Sequence, residues 1–87
     1  MELQEQFEAA FAKTKTLTEK PDNETLLSLY SLYKQGTIGD ATEAYKPENA
    51  FDFVAMFKYN AWEKLGGMSK EDAMQAYIDL VDKLVLG

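Results

Sequence analysis

The 87-residue sequence contains no cysteine and no histidine. Without cysteine there is no disulfide framework and no thiolate nucleophile. Without either residue there is no Cys/His zinc site, no histidine-ligated haem and no histidine-based catalytic triad. Positive charge is also scarce, with nine basic residues against fifteen acidic ones and a net charge of −6. That balance excludes the dense basic surface on which duplex nucleic acids bind. No apolar stretch approaches the ~18 residues of a membrane span. Met1 to Glu5 has neither the basic nor the apolar region of a secretory signal. The cytoplasm is therefore the expected location. Chemistry-bearing motifs are missing too. No D-x-D-x-D-G loop suggests calcium, no carboxylate pair stands out as an acid–base couple, and Gly66-Gly67 reads as a helix stop rather than a phosphate loop. These absences predict a protein that is not an enzyme and holds no metal or cofactor.

What the chain does have is packing material: 46% apolar and 13% aromatic residues. At this length one domain, residues 1–87, is expected. It buries roughly 60–65% of its unfolded surface and reaches a stability of about 5 kcal/mol. The periodicity is helical throughout. A first helix carries Leu3, Phe7, Ala10, Phe11 and Leu17 and stops before Pro21. Asp22 caps a second, with Leu26, Leu27, Leu29, Tyr30, Leu32 and Tyr33, which Gly36 weakens. A third begins near Asp52 with Phe53, Val54, Phe57, Ala61, Trp62 and Leu65, and Gly66-Gly67 ends it. The fourth opens on the capping-box-like Ser69-Lys70-Glu71-Asp72, with Ala73, Tyr77, Leu80 and Leu84 as its stripe. The fold class is all-α, a four-helix bundle. The roughly 15 residues between helices two and three are long enough to cross the bundle.

The few cations are unusually placed. Tyr30, Tyr33 and Lys34 share one face of helix two, and Lys58 falls inside the apolar stripe of helix three, four residues from Val54 and from Trp62. One reading is that both lysines snorkel outward and the tyrosine hydroxyls meet water. The other is an anion site of two lysines and a phenol, flanked by aromatic faces that would stack a purine. Phosphate suits such a site, since lysine binds it as a point charge and tyrosine adds a hydroxyl donor.

At these residues the chain resembles the acyl-CoA-binding protein family. Tyr30-Ser31-Leu32-Tyr33-Lys34-Gln35-Gly36-Thr37-Ile38-Gly39-Asp40 is similar to its YxxYKQAT-x-GD segment. Lys58-Tyr59-Asn60-Ala61-Trp62 is similar to KWDAW, and Ser69 to Ile78 to SKEDAMxAYI. Phe7, Lys15, Leu17 and Pro21 fall into register. The resemblance implies a four-helix bundle with a crossover between helices two and three. It implies non-catalytic binding, transport and buffering of medium- to long-chain acyl-CoA thioesters. A 3′-phosphate would then meet Tyr30, Lys34 and Lys58, and adenine would lie against Tyr33. Tyr77 and Ser31 would complete the head-group site, and Lys15 would stand near the phosphates. Phe7, Ala10, Phe11 and Leu27 would border the acyl chain. The chain departs from the pattern at Gly36, where alanine is usual, at Tyr59, where tryptophan is usual, and at Val54, where many members carry lysine. Extra residues between Gly39 and Lys58 leave Lys46 without an assigned role. The expected partners are fatty acyl-CoA esters, with no nucleic acid, at most transient membrane contact and a monomeric state. Two other readings compete. One is a helical protein-interaction module anchored by Phe7, Phe11 and Tyr77. The other is a peripheral lipid-surface protein, which the −6 charge disfavours on anionic leaflets.

Overall fold

The computed structural model describes residues 2–86; Met1 and Gly87, the ends of the expected domain 1–87, lie outside the described residues. It contains α1 (Leu3–Thr14), α2 (Asn23–Thr37), α3 (Phe53–Glu63) and α4 (Lys70–Leu86), with a single 3-10 turn at Glu43–Tyr45. Three helices start where a side-chain oxygen takes an orphan backbone N–H. Asp22 accepts from Thr25 N–H at 2.8 Å and Asp52 from Ala55 N–H at 3.1 Å. Ser69 accepts from Asp72 N–H at 3.0 Å. The helix α1 is shorter than its apolar pattern predicts and leaves Leu17 in the following loop. Its end competes with local bonds: the Thr14 and Thr16 hydroxyls donate to the Phe11 and Lys13 carbonyls at 2.6 and 2.7 Å.

The core joins Phe7 and Ala10 of α1, Leu29 of α2, and Met74, Tyr77, Ile78 and Val81 of α4. Accordingly α4 packs against both α1 and α2, whereas α3 packs against α2. The chain runs through Gly36 as helix, and the bare Cα there admits the Phe7 ring and Met74 side chain; a Cβ would stand 3.2 Å from each.

The crossover, residues 38–52, makes α3 run beside α2 in the same direction. At its start Gly39 adopts φ 100°, a left-handed conformation suited to glycine, and its carbonyl accepts the Trp62 indole N–H at 2.8 Å. The Tyr59 hydroxyl donates to the Thr42 carbonyl at 3.3 Å, and the Tyr45 ring lies 5.0 Å from Trp62. Gln35, fully buried, donates to Asp40 at 2.7 Å and to the Met68 carbonyl at 2.8 Å. The same Asp40 oxygen accepts Gly67 N–H at 2.9 Å, so one carboxylate holds the end of α2 to the α3–α4 turn.

The helix α3 buries only one end of its apolar pattern. Its buried residues are Tyr59 and Trp62, not the apolar stripe that opens the helix. Phe53, Val54 and Phe57 are 63%, 64% and 61% exposed. The cause is topological: the crossover fastens the C-terminal half of α3 to the bundle through Tyr59 and Trp62, and the N-terminal half stands across an open groove from Leu26 and Leu27 of α2.

Hydrogen bonds from Gly67 and then from Gln35 hold the Asp40 carboxyl below its ordinary value of 3.8. A lowered folded-state pKa stabilises the fold above 3.8, and that contribution disappears as pH falls through the folded value. Asp40→Asn keeps an acceptor oxygen but cannot titrate. In urea unfolding it should be less stable than wild type at pH 7, and the gap should close below about pH 4. A gap of constant size down to pH 3 would show that the carboxylate charge is irrelevant to the junction.

Candidate functional site

All nine basic residues are lysines, and three of them converge on aromatic faces. Tyr30 and Lys34 lie one turn apart on α2, and the parallel course of α3 sets Lys58 beside them. The Lys34 and Lys58 ammoniums stand 5.6 and 5.4 Å from the centre of the Tyr30 ring. Each contact is a cation–π attraction. Among the described residues neither ammonium has a carboxylate partner, and the one ion pair joins Lys13 to Asp82 at 3.9 Å. In a chain with fifteen acids this is a notable reserve of uncompensated charge. Two ammoniums on one ring repel each other, and an anion between them removes that repulsion and gains two charge-assisted hydrogen bonds.

Beside this pair lies an aromatic cradle. The Tyr33 ring stacks on Phe7 at 5.3 Å, tilts against Phe11 at 4.8 Å and faces Tyr77 at 5.9 Å. Half-buried Tyr33 and partly exposed Phe11 border a cavity of about 320 Å³ together with Tyr30, Tyr77, Thr14 and Leu26. The Lys15 ammonium sits 5.1 Å over the Phe11 ring, at the end of α1. Tyr77 is 3% exposed, and burial raises its phenol pKa, with the Thr14 hydroxyl partly opposing. It therefore stays neutral across ordinary pH and presents an O–H rather than a phenolate.

An apolar groove of about 500 Å³ opens between α2 and α3, walled by Leu26, Leu27, Val54 and Phe57, with Lys58 and Asn23 also lining it. Leu26 borders both spaces, so cradle and groove meet beside Tyr30.

Most of the expected site residues are brought together: Lys15, Tyr30, Tyr33, Lys34, Lys58, Tyr77, Phe11 and Leu27 all line or rim this surface. Three are not. Ser31 is 4% exposed and its hydroxyl donates to the Ser28 carbonyl at 3.1 Å, because one residue past Tyr30 the helix faces the bundle interior. Phe7 and Ala10, expected to border an acyl groove, are 1% and 2% exposed and closed in the core beneath the tyrosines. The groove walls that the sequence reading missed are Leu26, Val54 and Phe57, together with Asn23. Leu26 and Val54 each lie four residues before a residue of the cation cluster, a spacing that carried the signal.

Comparison with known proteins follows the same lines. Residues 4–81 match the family described as Acyl CoA binding protein. The chain is 50% identical over 78 residues to the Acyl-CoA-binding protein of Dictyostelium discoideum, covering 90% of each. It is 44% identical over 85 residues to an Acyl-CoA-binding protein homolog of Manduca sexta, covering 98% of this chain and 93% of the relative. The crystal structure of Oryza sativa Acyl-CoA-Binding Protein 2 superposes with a TM-score of 0.88 at 41% identity, over 98% of this chain and 92% of that one. With the family pattern spanning nearly its whole length and the fold matching at the same coverage, the chain belongs to the acyl-CoA-binding protein family.

Proposed function

We propose that this chain binds medium- to long-chain fatty acyl-CoA thioesters without covalent chemistry, and that it carries and buffers them as a monomer in the cytoplasm. The observation that carries this reading is the pair of unpaired ammoniums on Tyr30 at the mouth of an apolar groove. A ligand suited to both must be anionic at one end and apolar at the other. On this reading Lys34, Lys58 and the Tyr30 hydroxyl take the 3′-phosphate, and the exposed part of Tyr33 meets the adenine. Lys15 answers the remaining phosphates, and Tyr77 supplies a neutral phenol. The tail follows Leu26, Leu27, Val54 and Phe57. Nothing in this scheme acts on the thioester, and it calls for no metal and no cofactor. The helical interaction module is disfavoured because its anchor Phe7 is 1% exposed and closed in the core, and Tyr77 meets only the interior of the cavity rather than an open surface.

Lys34→Ala and Lys58→Ala should each weaken acyl-CoA binding by about 1.5–3 kcal/mol, the range for charge-assisted hydrogen bonds, with little change in the urea midpoint. Isothermal titration checks this; full affinity in either variant removes that lysine from the site.

Affinity should also climb from acetyl-CoA through the medium chains and then level off once the groove is filled. Each buried methylene contributes at most about 0.8 kcal/mol, reduced by the ordering of a flexible chain. The heat-capacity change should grow more negative with chain length. Measured below the critical micelle concentration, equal affinity for acetyl- and dodecanoyl-CoA would contradict a groove that holds the tail.

A further inference from the structure

The groove between α2 and α3 has apolar walls, which fix no direction, but its two ends differ in charge. One end carries Lys58 beside the Tyr30 ring, with Lys34 on the same ring. At the other end the lining stops at Asn23 of α2 and Val54 of α3. Each follows an aspartate that caps its helix, and since the helices run in the same direction Asp22 and Asp52 share that end. Glu24 comes one turn before Leu27 of the wall. All three acidic residues are exposed. Hydrogen bonds from Thr25, its side chain first and then its backbone, hold the Asp22 carboxyl below its ordinary 3.8 and keep it ionised at neutral pH. The two helix N-termini supply about half a positive charge each, less than three carboxylates bring. Lys20, the lysine nearest in sequence to Asp22, lines a separate space with Lys83 and Glu19.

We infer that this asymmetry sets which tails the protein accepts: the free end of the acyl chain lies at Asn23, and Asp22, Glu24 and Asp52 turn away acyl-CoA esters whose tail ends in a second carboxylate. The inference rests on the carrier reading above and narrows its substrate class to monocarboxylic acyl esters. Phosphates are drawn to Lys34 and Lys58 and repelled by the three acids, so the head enters at the lysine end and the tail points to the other. Length agrees with this direction. From Tyr30 back to Asn23 the helix spans seven residues, about 10 Å at about 1.5 Å per residue. An extended chain covers about 1.2 Å per bond, so a tail of about eight to ten carbons ends at Asn23. A methyl group meets no penalty there. A carboxylate would stand among three like charges, beside apolar walls that offer it no counter-ion. A four-carbon tail ends nearer Lys58, where the same group finds a cation.

The test is a set of affinity ratios, each taken within one protein by isothermal titration below the critical micelle concentration. Wild type should bind decanedioyl-CoA at least tenfold more weakly than decanoyl-CoA, while ω-hydroxydecanoyl-CoA should lose no more than threefold. Butanedioyl-CoA should bind at least as well as butanoyl-CoA. High salt should shrink the decanedioyl penalty, since the three acids are exposed. In the triple variant Asp22→Asn, Glu24→Gln, Asp52→Asn that penalty should fall to threefold or less. Asparagine caps a helix as well as aspartate does, so both helix starts survive the change. Equal wild-type affinity for decanoyl- and decanedioyl-CoA overturns the inference. A hydroxyl penalty as large as the carboxylate one gives the effect to polarity and overturns it as well. A penalty indifferent to salt, or one that persists in the triple variant, removes the three acids from it. A penalty on butanedioyl-CoA and none on decanedioyl-CoA would mean that the tail runs the other way, which also overturns it. Failure of wild type to bind decanoyl-CoA overturns the carrier reading instead.

Discussion

Asp40 accepts hydrogen bonds from Gln35, near the end of α2, and from Gly67, in the turn between α3 and α4. With the Trp62 indole bonded to Gly39 one residue earlier, this junction determines where α3 lies. A short connection would have made α2 and α3 antiparallel neighbours. The crossover, pinned at its start by Gly39 and Asp40, returns the chain so that α3 runs along α2 in the same direction. Only that course lets Lys58 share the Tyr30 ring with Lys34 and lets Val54 and Phe57 face Leu26 and Leu27. The bonds that build the bundle thus also assemble the site, although none of their side chains lines it.

The site divides its work between charge and apolar area. The ammoniums are held at the rim over aromatic faces, where cation–π contacts fix their place without neutralising them. A carboxylate in the same position would have been a competitor for any phosphate, and none of the fifteen acids pairs with these lysines. The groove contributes little direction but much contact. On the proposed reading they together favour a molecule with both ends over one with either, which would let an acidic protein bind an anion selectively.

Much of this was legible in the sequence. The caps at Asp22, Asp52 and Ser69 mark their helices, and the spacing of Tyr30, Lys34 and Lys58 points to a shared face once the long connection is read as a crossover. The errors have physical causes. Periodicity locates an apolar face but not what covers it: the stripe opening α3 stands across an open groove from Leu26 and Leu27 and is not part of the core. Phe7 and Ala10 were placed in a groove although a position on the inner face of α1 serves packing first. Gln35 gave no apolar signal, yet it is fully buried, since its amide satisfies groups that only the folded crossover brings near. Ser31 was grouped with its tyrosine neighbours, but a step of one residue turns a helix by about 100° and carried it inward.

The central claim is that two lysines without carboxylate partners, set on one tyrosine ring, read a terminal phosphate while the neighbouring groove reads the chain. Isothermal titration of the wild-type protein with octanoyl-CoA and with its 3′-dephospho analogue tests it most directly, since the tail is the same and only the phosphate differs. The analogue should bind at least tenfold more weakly, about 1.4 kcal/mol or more. Equal affinities would contradict it and would place the phosphate away from Tyr30, Lys34 and Lys58.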